Sequence, residues 1–231
     1  MRKFLASLAL IGGLAFQANA NAAGILYWTD FDLGTNNMAA ALSAGGYTFT
    51  TATGEADFVT QVGAGGWDAV VFMNQNSSND AAQGAISTWV GGGGKAIYAD
   101  WTRDNTVAAF FDAAFTGNVN DTQVTVNGGL TNPVVLANAG WGIFSTGLSA
   151  LAGGVSGGTF GNGDVAIVIG NDGNSIINGF LADSFADSAE GTQLYLDQLS
   201  ALLDAQAVPE PGSLLLVGLA LLAFAGSRRK A

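Results

Sequence analysis

The side chains in this sequence that can do acid–base or ligand chemistry are almost all carboxylates. Its 231 residues include no histidine and no cysteine, against 18 Asp and Glu. A Ser-His-Asp triad and a Cys–His pair are excluded on composition alone, and so are disulfides and zinc sites built from Cys or His. Gly91–Gly94 precede Lys95, but no Ser or Thr follows, so there is no phosphate-binding loop. What remains are short carboxylate-bearing segments. "TDFDLGTNN" (29–37) sets Asp30 and Asp32 just after an apolar run, Asp100 closes "KAIYAD", and Asp172 closes "DVAIVIGND". Acids that follow strands stand at the edge where parallel sheets hold their sites. A calcium site would need about six to eight oxygen ligands from such groups. Glycoside hydrolysis would need two carboxyls at a defined separation. Asp and Asn also cap helices and close turns at these positions. That structural role is the first expectation, with no catalytic residue, no cofactor, and calcium on Asp30, Asp32, Asp100 or Asp172 left open.

These residues need elements to position them. "ILYW" (25–28), "YTFTTA" (47–52), "WDAVVFMN" (67–74) and "KAIYADW" (95–101) read as strands. Between them, "TNNMAAALSAGG" (35–46, Thr35 as cap), "EADFVTQVGAGG" (55–66) and "NDAAQGAISTWVGGGG" (79–94) read as helices with glycine stops. That alternation predicts right-handed βαβ units and a parallel sheet. The stretch 116–163 is less regular, with "TQVTVN" (122–127) as a strand and "GGVSGGTFGNGD" (153–164) as a loop. "DVAIVIGND" (164–172) reads as a core strand, and "EGTQLYLDQLSALLDAQ" (190–206) as a closing amphipathic helix. The Ala-rich segments and that last helix argue against an all-β sandwich. Trp28, Trp67 and Trp89 fall inside core-like patterns. Trp101 and Trp141 are the ones that would have to be exposed if the domain binds extracellular polysaccharide.

The formal net charge is −11, and within residues 21–207 only Lys95 and Arg103 oppose the acids. Such a surface repels phosphate, which excludes nucleic acid as a partner. The remaining cations sit at the ends. Arg2 and Lys3, the apolar "FLASLALIGGLAF" and the small Ala18-Asn19-Ala20 have the build of a signal peptide over residues 1–20, with cleavage by the secretion machinery expected after Ala20 and Ala22 or Ala23 also suitable. At the other end, "SLLLVGLALLAFAG" (213–226) is an apolar run closed by Arg228, Arg229 and Lys230. As a helix it spans about 21 Å, short of the roughly 30 Å hydrocarbon core but able to insert as a short transmembrane helix. The basic end stays cytoplasmic, which leaves the domain of residues 21–207 outside. Pro209 and Pro211 separate the two as an extended hinge.

Two resemblances follow from these residues. Over roughly 25–205, "ILYWTDFD", "WDAVVFMN", "WVGGGGKAIYAD", "LTNPVV" (130–135), "GNGDVAIVIGND" and the Leu-rich helix together resemble the class I glutamine-amidotransferase-like fold. This implies an α/β, flavodoxin-like parallel sheet with flanking helices. The amidotransferase activity does not carry over, because its cysteine and histidine are absent. Over 208–231, "VPEP", the apolar helix and "SRRK" resemble the PEP-CTERM sorting signal of Gram-negative, often biofilm-forming bacteria. That resemblance implies an exosortase that recognises Pro209, Glu210 and Pro211, while Arg228, Arg229 and Lys230 hold the tail at the membrane until it is removed. The expected product is an exported protein of the cell envelope, surface or extracellular matrix, with a structural or adhesive role. A carbohydrate-binding module and a carboxylate-dependent hydrolase are the alternatives.

Overall fold

The computed structural model describes residues 24–32, 34–127, 134–137, 145–181 and 185–204, all within one compact unit, Ala22–Ala205. The signal segment, the Ala18–Ala20 cleavage site, Trp141, Pro209–Pro211, the apolar run 213–226 and the terminal basic cluster lie outside the described residues. Among the described residues no helix is long and apolar enough to cross a membrane.

Four parallel strands come first: β1 (Gly24–Thr29), β2 (Thr48–Thr51), β3 (Ala69–Asn74) and β4 (Ala96–Asp100). Helices α1 (Asn37–Ala44), α2 (Glu55–Ala64) and α3 (Asp80–Gly91) connect them, and a one-turn helix α4 (Asn105–Ala108) follows β4. Thereafter come β5 (Ala113–Val119), β6 (Gln123–Val126), β7 (Val134–Val135), β8 (Ser145–Ala150), β9 (Val155–Phe160), β10 (Val165–Gly170), β11 (Ser175–Asn178) and the final helix α5 (Ser188–Asp204). The main sheet runs β2-β1-β3-β4-β11-β10-β9-β6-β7, with β8 pairing both β10 and β5. β2, β1, β3, β4 and β11 are mutually parallel.

Inside the edge strand β2, the strands of the parallel set bury both faces, so they carry continuous apolar runs rather than alternation. β3 and β4 are buried at every residue. Ile25, Tyr27, Val71, Met73 and Ile97 face one core with Met38 and Leu42 of α1 and Leu194, Leu199 and Leu202 of α5. Leu26, Trp28, Val70, Phe72 and Tyr98 face the other, with Phe58 of α2, Ile86 of α3 and Phe111. An aromatic ladder crosses this second face. Trp28 stacks on Phe72 with centroids 4.8 Å apart, Phe72 lies 5.5 Å from Tyr98, and Tyr98 lies 5.3 Å from Phe111.

Three expectations need correction. The helix over 35–46 is capped by Asn36 rather than Thr35: the Asn36 side chain accepts from the Ala39 N–H and also from the Tyr27 hydroxyl. Segment 153–164 is not a loop, because Val155–Phe160 forms β9, pairing with both β10 and β6. Its glycines hide the strand, since Gly has no side chain to contribute to a strand pattern. The sheet is also mixed. β10 joins β11 antiparallel through a tight turn, so the chain reverses there instead of crossing over a helix. The core-strand expectation for 164–172 holds, and so does the closing helix.

Candidate functional site

The loops after β1, β3 and β4 meet at one edge of the sheet. β1 has β2 on one side and β3 on the other, so the strand order reverses between β1 and β3. In doubly wound folds a crevice opens there, at the carboxyl ends of the strands. Asp30 follows β1. Asn74 ends β3 and is in register with Asp100 at the end of β4.

Asp30 closes that crevice. Its Oδ1 accepts from the Gln75 N–H at 2.6 Å. Its Oδ2 accepts from the N–H groups of Asn76 and Ser77 at 3.1 and 2.8 Å, and from Asn79 Nδ2 at 3.0 Å. The Gln75 amide reaches back across the gap to Thr29 Oγ1 and Phe31 O at 3.0 and 2.6 Å. Asn79 Nδ2 also donates to Asn74 Oδ1 at 2.7 Å, and Asn74 Nδ2 donates to Asp100 Oδ1 at 2.8 Å. A continuous chain of hydrogen bonds therefore links the two acids through two buried asparagines.

Asp100 is equally occupied. Besides Asn74, its Oδ1 accepts from the Thr102 N–H at 2.8 Å, the Thr102 hydroxyl at 2.7 Å and Gln83 Nε2 at 3.3 Å. Its Oδ2 accepts from the Asp104 N–H at 2.7 Å, and Asp104 in turn caps α4 through the Thr106 N–H at 2.7 Å. Gln83 also donates to the Tyr98 hydroxyl at 3.0 Å. Burial, and then the nearby charge of Asp100, hold the Tyr98 phenol protonated well above its ordinary value of 10.0. The result is a buried carboxylate–amide–hydroxyl network whose acceptors are taken by the chain's own donors.

The other sequence candidates lie apart. Asp32 is exposed and accepts from Asn36 Nδ2 within its own loop, at 2.9 Å. Asp172 stands at the opposite edge, because β10 runs antiparallel: Gly170 pairs with Ser175, and Ser175 with Ala96, the first residue of β4. The four acids therefore do not share one edge. Among the described residues, no three Asp, Glu, His or Cys side chains group to hold a metal ion. Trp28 is buried and Trp67 and Trp89 pack partly buried against the second core, as their patterns imply. Trp101 is half-buried, and its backbone N–H donates to Asn74 O at 2.7 Å. Sequence reading missed the partners Asn74, Gln75, Asn79, Gln83 and Thr102. The signal was present in the polar run "NQNSSND" (74–80) directly after a fully apolar strand.

A family model for the PEP-CTERM protein-sorting motif matches residues 207–230. The chain thus carries the mark of an exported, surface-targeted protein, with an exosortase as its processing partner. By fold, the domain is similar to a protein described as a GMP synthase component from Thermoplasma acidophilum (TM-score 0.53, 10% identity, 80% of this chain and 98% of that one). It is also similar to a ThuA-like protein from Bacteroides uniformis (TM-score 0.52, 11% identity, 80% and 93%). A third similar structure is a carbohydrate deacetylase (TM-score 0.50, 12% identity, 78% and 33%). At these identities the similarity shows the fold alone, that of the class I amidotransferase-like and ThuA-like proteins. No curated protein matches the chain in sequence.

Proposed function

We propose that residues 21–207 form a non-catalytic surface domain of a Gram-negative bacterium, exported by its signal peptide, released or attached by an exosortase, and structural or adhesive within the extracellular matrix. The supporting observation is the use made of Asp30 and Asp100. A general base or nucleophilic carboxylate needs a lone pair aimed at substrate, whereas both acids are engaged by backbone and amide donors that fasten three loops together. The chemistry of this edge goes into rigidity. The sorting motif sets where the rigid domain is delivered, and a matrix rich in polysaccharide is the partner its localisation supplies.

Intact-mass measurement on matrix, membrane and medium fractions of the native host tests this reading. The expected species lacks the first 20 or so residues and everything beyond Pro209–Pro211, and it fractionates with the matrix. A mass that retains the tail would make the protein a permanently anchored one. Asp30→Asn supplies the second arm, with the domain destabilised by about 2 kcal/mol through the weakened acceptor and matrix retention unchanged while it stays folded. A polysaccharide-cleaving activity in the wild-type protein that Asp30→Asn or Asp100→Asn abolishes would overturn the non-catalytic reading in favour of a hydrolase.

A further inference from the structure

The described sheet has three outer strands, and the chain treats them differently. β7 is two residues long, and a very short strand offers little to pair with. β5 is longer, but its register shifts between Phe115 and Gly117, with Gly117 at φ 136°. Its Phe115 N–H is already taken by Asn105 Oδ1 at 2.6 Å. A bulge and a capped donor are standard protections of a sheet edge.

β2, four residues long, has neither a bulge nor a capped outward donor among the described residues. It is regular along its pairing with β1, and no charged residue or proline occurs between Asp32 and Glu55. Thr48, Thr50 and Thr51 are exposed. The Ala52 N–H donates to Tyr27 O on β1 at 2.9 Å, so by alternation the backbone groups of Thr50 and Thr48 also face β1. Those of Phe49 and Thr51 point outward, off the end of the sheet.

We infer that β2 is a homotypic docking edge, at which a second copy of this chain adds its own β2 antiparallel across a two-fold axis through Thr50. The outward pattern selects this register. Antiparallel partners exchange both bonds only when outward-facing residues lie opposite each other, and a two-fold at Thr50 sets Phe49 against Thr51 of the second copy and the reverse. Thr50 then meets Thr50 as a close non-hydrogen-bonded pair, and threonine pairs across strands are favourable. The same strand lies on both sides, so the contact is self-complementary and closed.

Electrostatics fits a second copy at this edge despite the chain's net charge of −11. Antiparallel pairing sets the Ala52 end of one strand beside the Thr48 end of the other. Glu55 and Asp57 therefore approach the uncharged Gly45–Tyr47 turn of the second copy rather than its acids. Both are also engaged at home: Glu55 accepts from the Ala81 and Ala82 N–H groups, and Asp57 accepts from Thr53. The remaining long-range repulsion is screened by salt, so this dimer tightens as ionic strength rises. The inference stands on the strand edge and does not depend on the matrix reading.

The absence of cysteine makes the test direct. The full chain carrying Thr50→Cys, recovered from an exporting host and oxidised, is run on a non-reducing gel. Directly opposed residues of a non-hydrogen-bonded pair lie about 4.5 Å apart at Cα, inside the roughly 4.4 to 6.8 Å window of a disulfide. The expected result is a band of doubled mass that reductant removes. Thr48→Cys, which faces Ala52, and Thr88→Cys, exposed on α3, should stay monomeric. Thr51→Pro removes an outward N–H from each copy and raises the dimer dissociation constant about 30-fold, equivalent to about 2 kcal/mol. Thr50→Lys, which changes only an exposed side chain, should separate the copies as well. A Thr50→Cys chain that cross-links no better than Thr88→Cys overturns the inference. So does a dimer whose mass persists in both Thr51→Pro and Thr50→Lys.

Discussion

From β1 to β11 the sheet is a stack of apolar strands covered by helices on both faces. From β10 to β7 it is a set of antiparallel strands, several built on glycine and threonine. The two halves show how differently one sheet can be held together. β3 and β4 have no exposed residue, and their stability comes from large side chains packed above and below. β5, β6 and β9 mix buried with exposed positions, as expected of antiparallel strands that shield one face. There the backbones approach each other where side chains are small. Parallel strands can be placed by packing, whereas the antiparallel ones depend more on close main-chain fit.

The largest effect should come from breaking the packed half. Phe72 is fully buried at the centre of the aromatic ladder, and Phe72→Ala should cost about 4 kcal/mol in denaturant unfolding. A loss under about 1 kcal/mol would mean that the ladder is not what holds this half. Next comes the main-chain fit beyond β11. A β-carbon on Gly179 would lie 2.1 Å from the Thr146 carbonyl oxygen, whereas one on Gly24 in β1 would meet nothing nearer than Asp68 Oδ2 at 3.8 Å. Gly179→Ala should therefore cost about 3 kcal/mol and Gly24→Ala within about 0.5 kcal/mol. Equal costs in the two variants would erase the distinction.

The smallest effect concerns the buried network and is read by pH. Tyr98 has a folded-state value raised above the unfolded 10.0, so its contribution is fully present below pH 10. As pH rises from there toward the folded value, the unfolded phenol ionises first, and stability falls by about 1.4 kcal/mol per pH unit. Tyr98→Phe should flatten that decline in alkaline melts. An unchanged slope would place the loss elsewhere.

The same contrast explains what is legible in the sequence. Apolar runs announce β1, β3 and β4, alternation announces β2, and glycine stops announce α1 to α3, each within a few residues, because the pattern is local there. β9 reads as a loop, and β5, β8 and β11 carry no clear strand pattern, because their pairing depends on neighbours distant in sequence and on glycines that carry no pattern. At the site, the position of Asp30 and Asp100 after their strands is readable from the strand order. Their occupation is not: it depends on amides of the 74–80 loop and on Gln83, a helix residue that a sequence pattern assigns to no particular partner. The placement of Asp172 fails for one reason, the reversal of direction at β10.

β11 also bears on how the chain folds. The strand that completes the parallel set beside β4 is nearly the last to be made: Ala96 pairs with Ser175, so the open side of β4 has no partner until almost the whole domain has been synthesised. Contacts this distant in sequence close late and slowly. The first three βαβ units alone would leave a long hydrophobic edge uncovered, and the final helix that seals the other face comes later still. For an exported protein such a delay is useful. The parallel set can close only once its last strand, 75 or more residues beyond β4, has arrived.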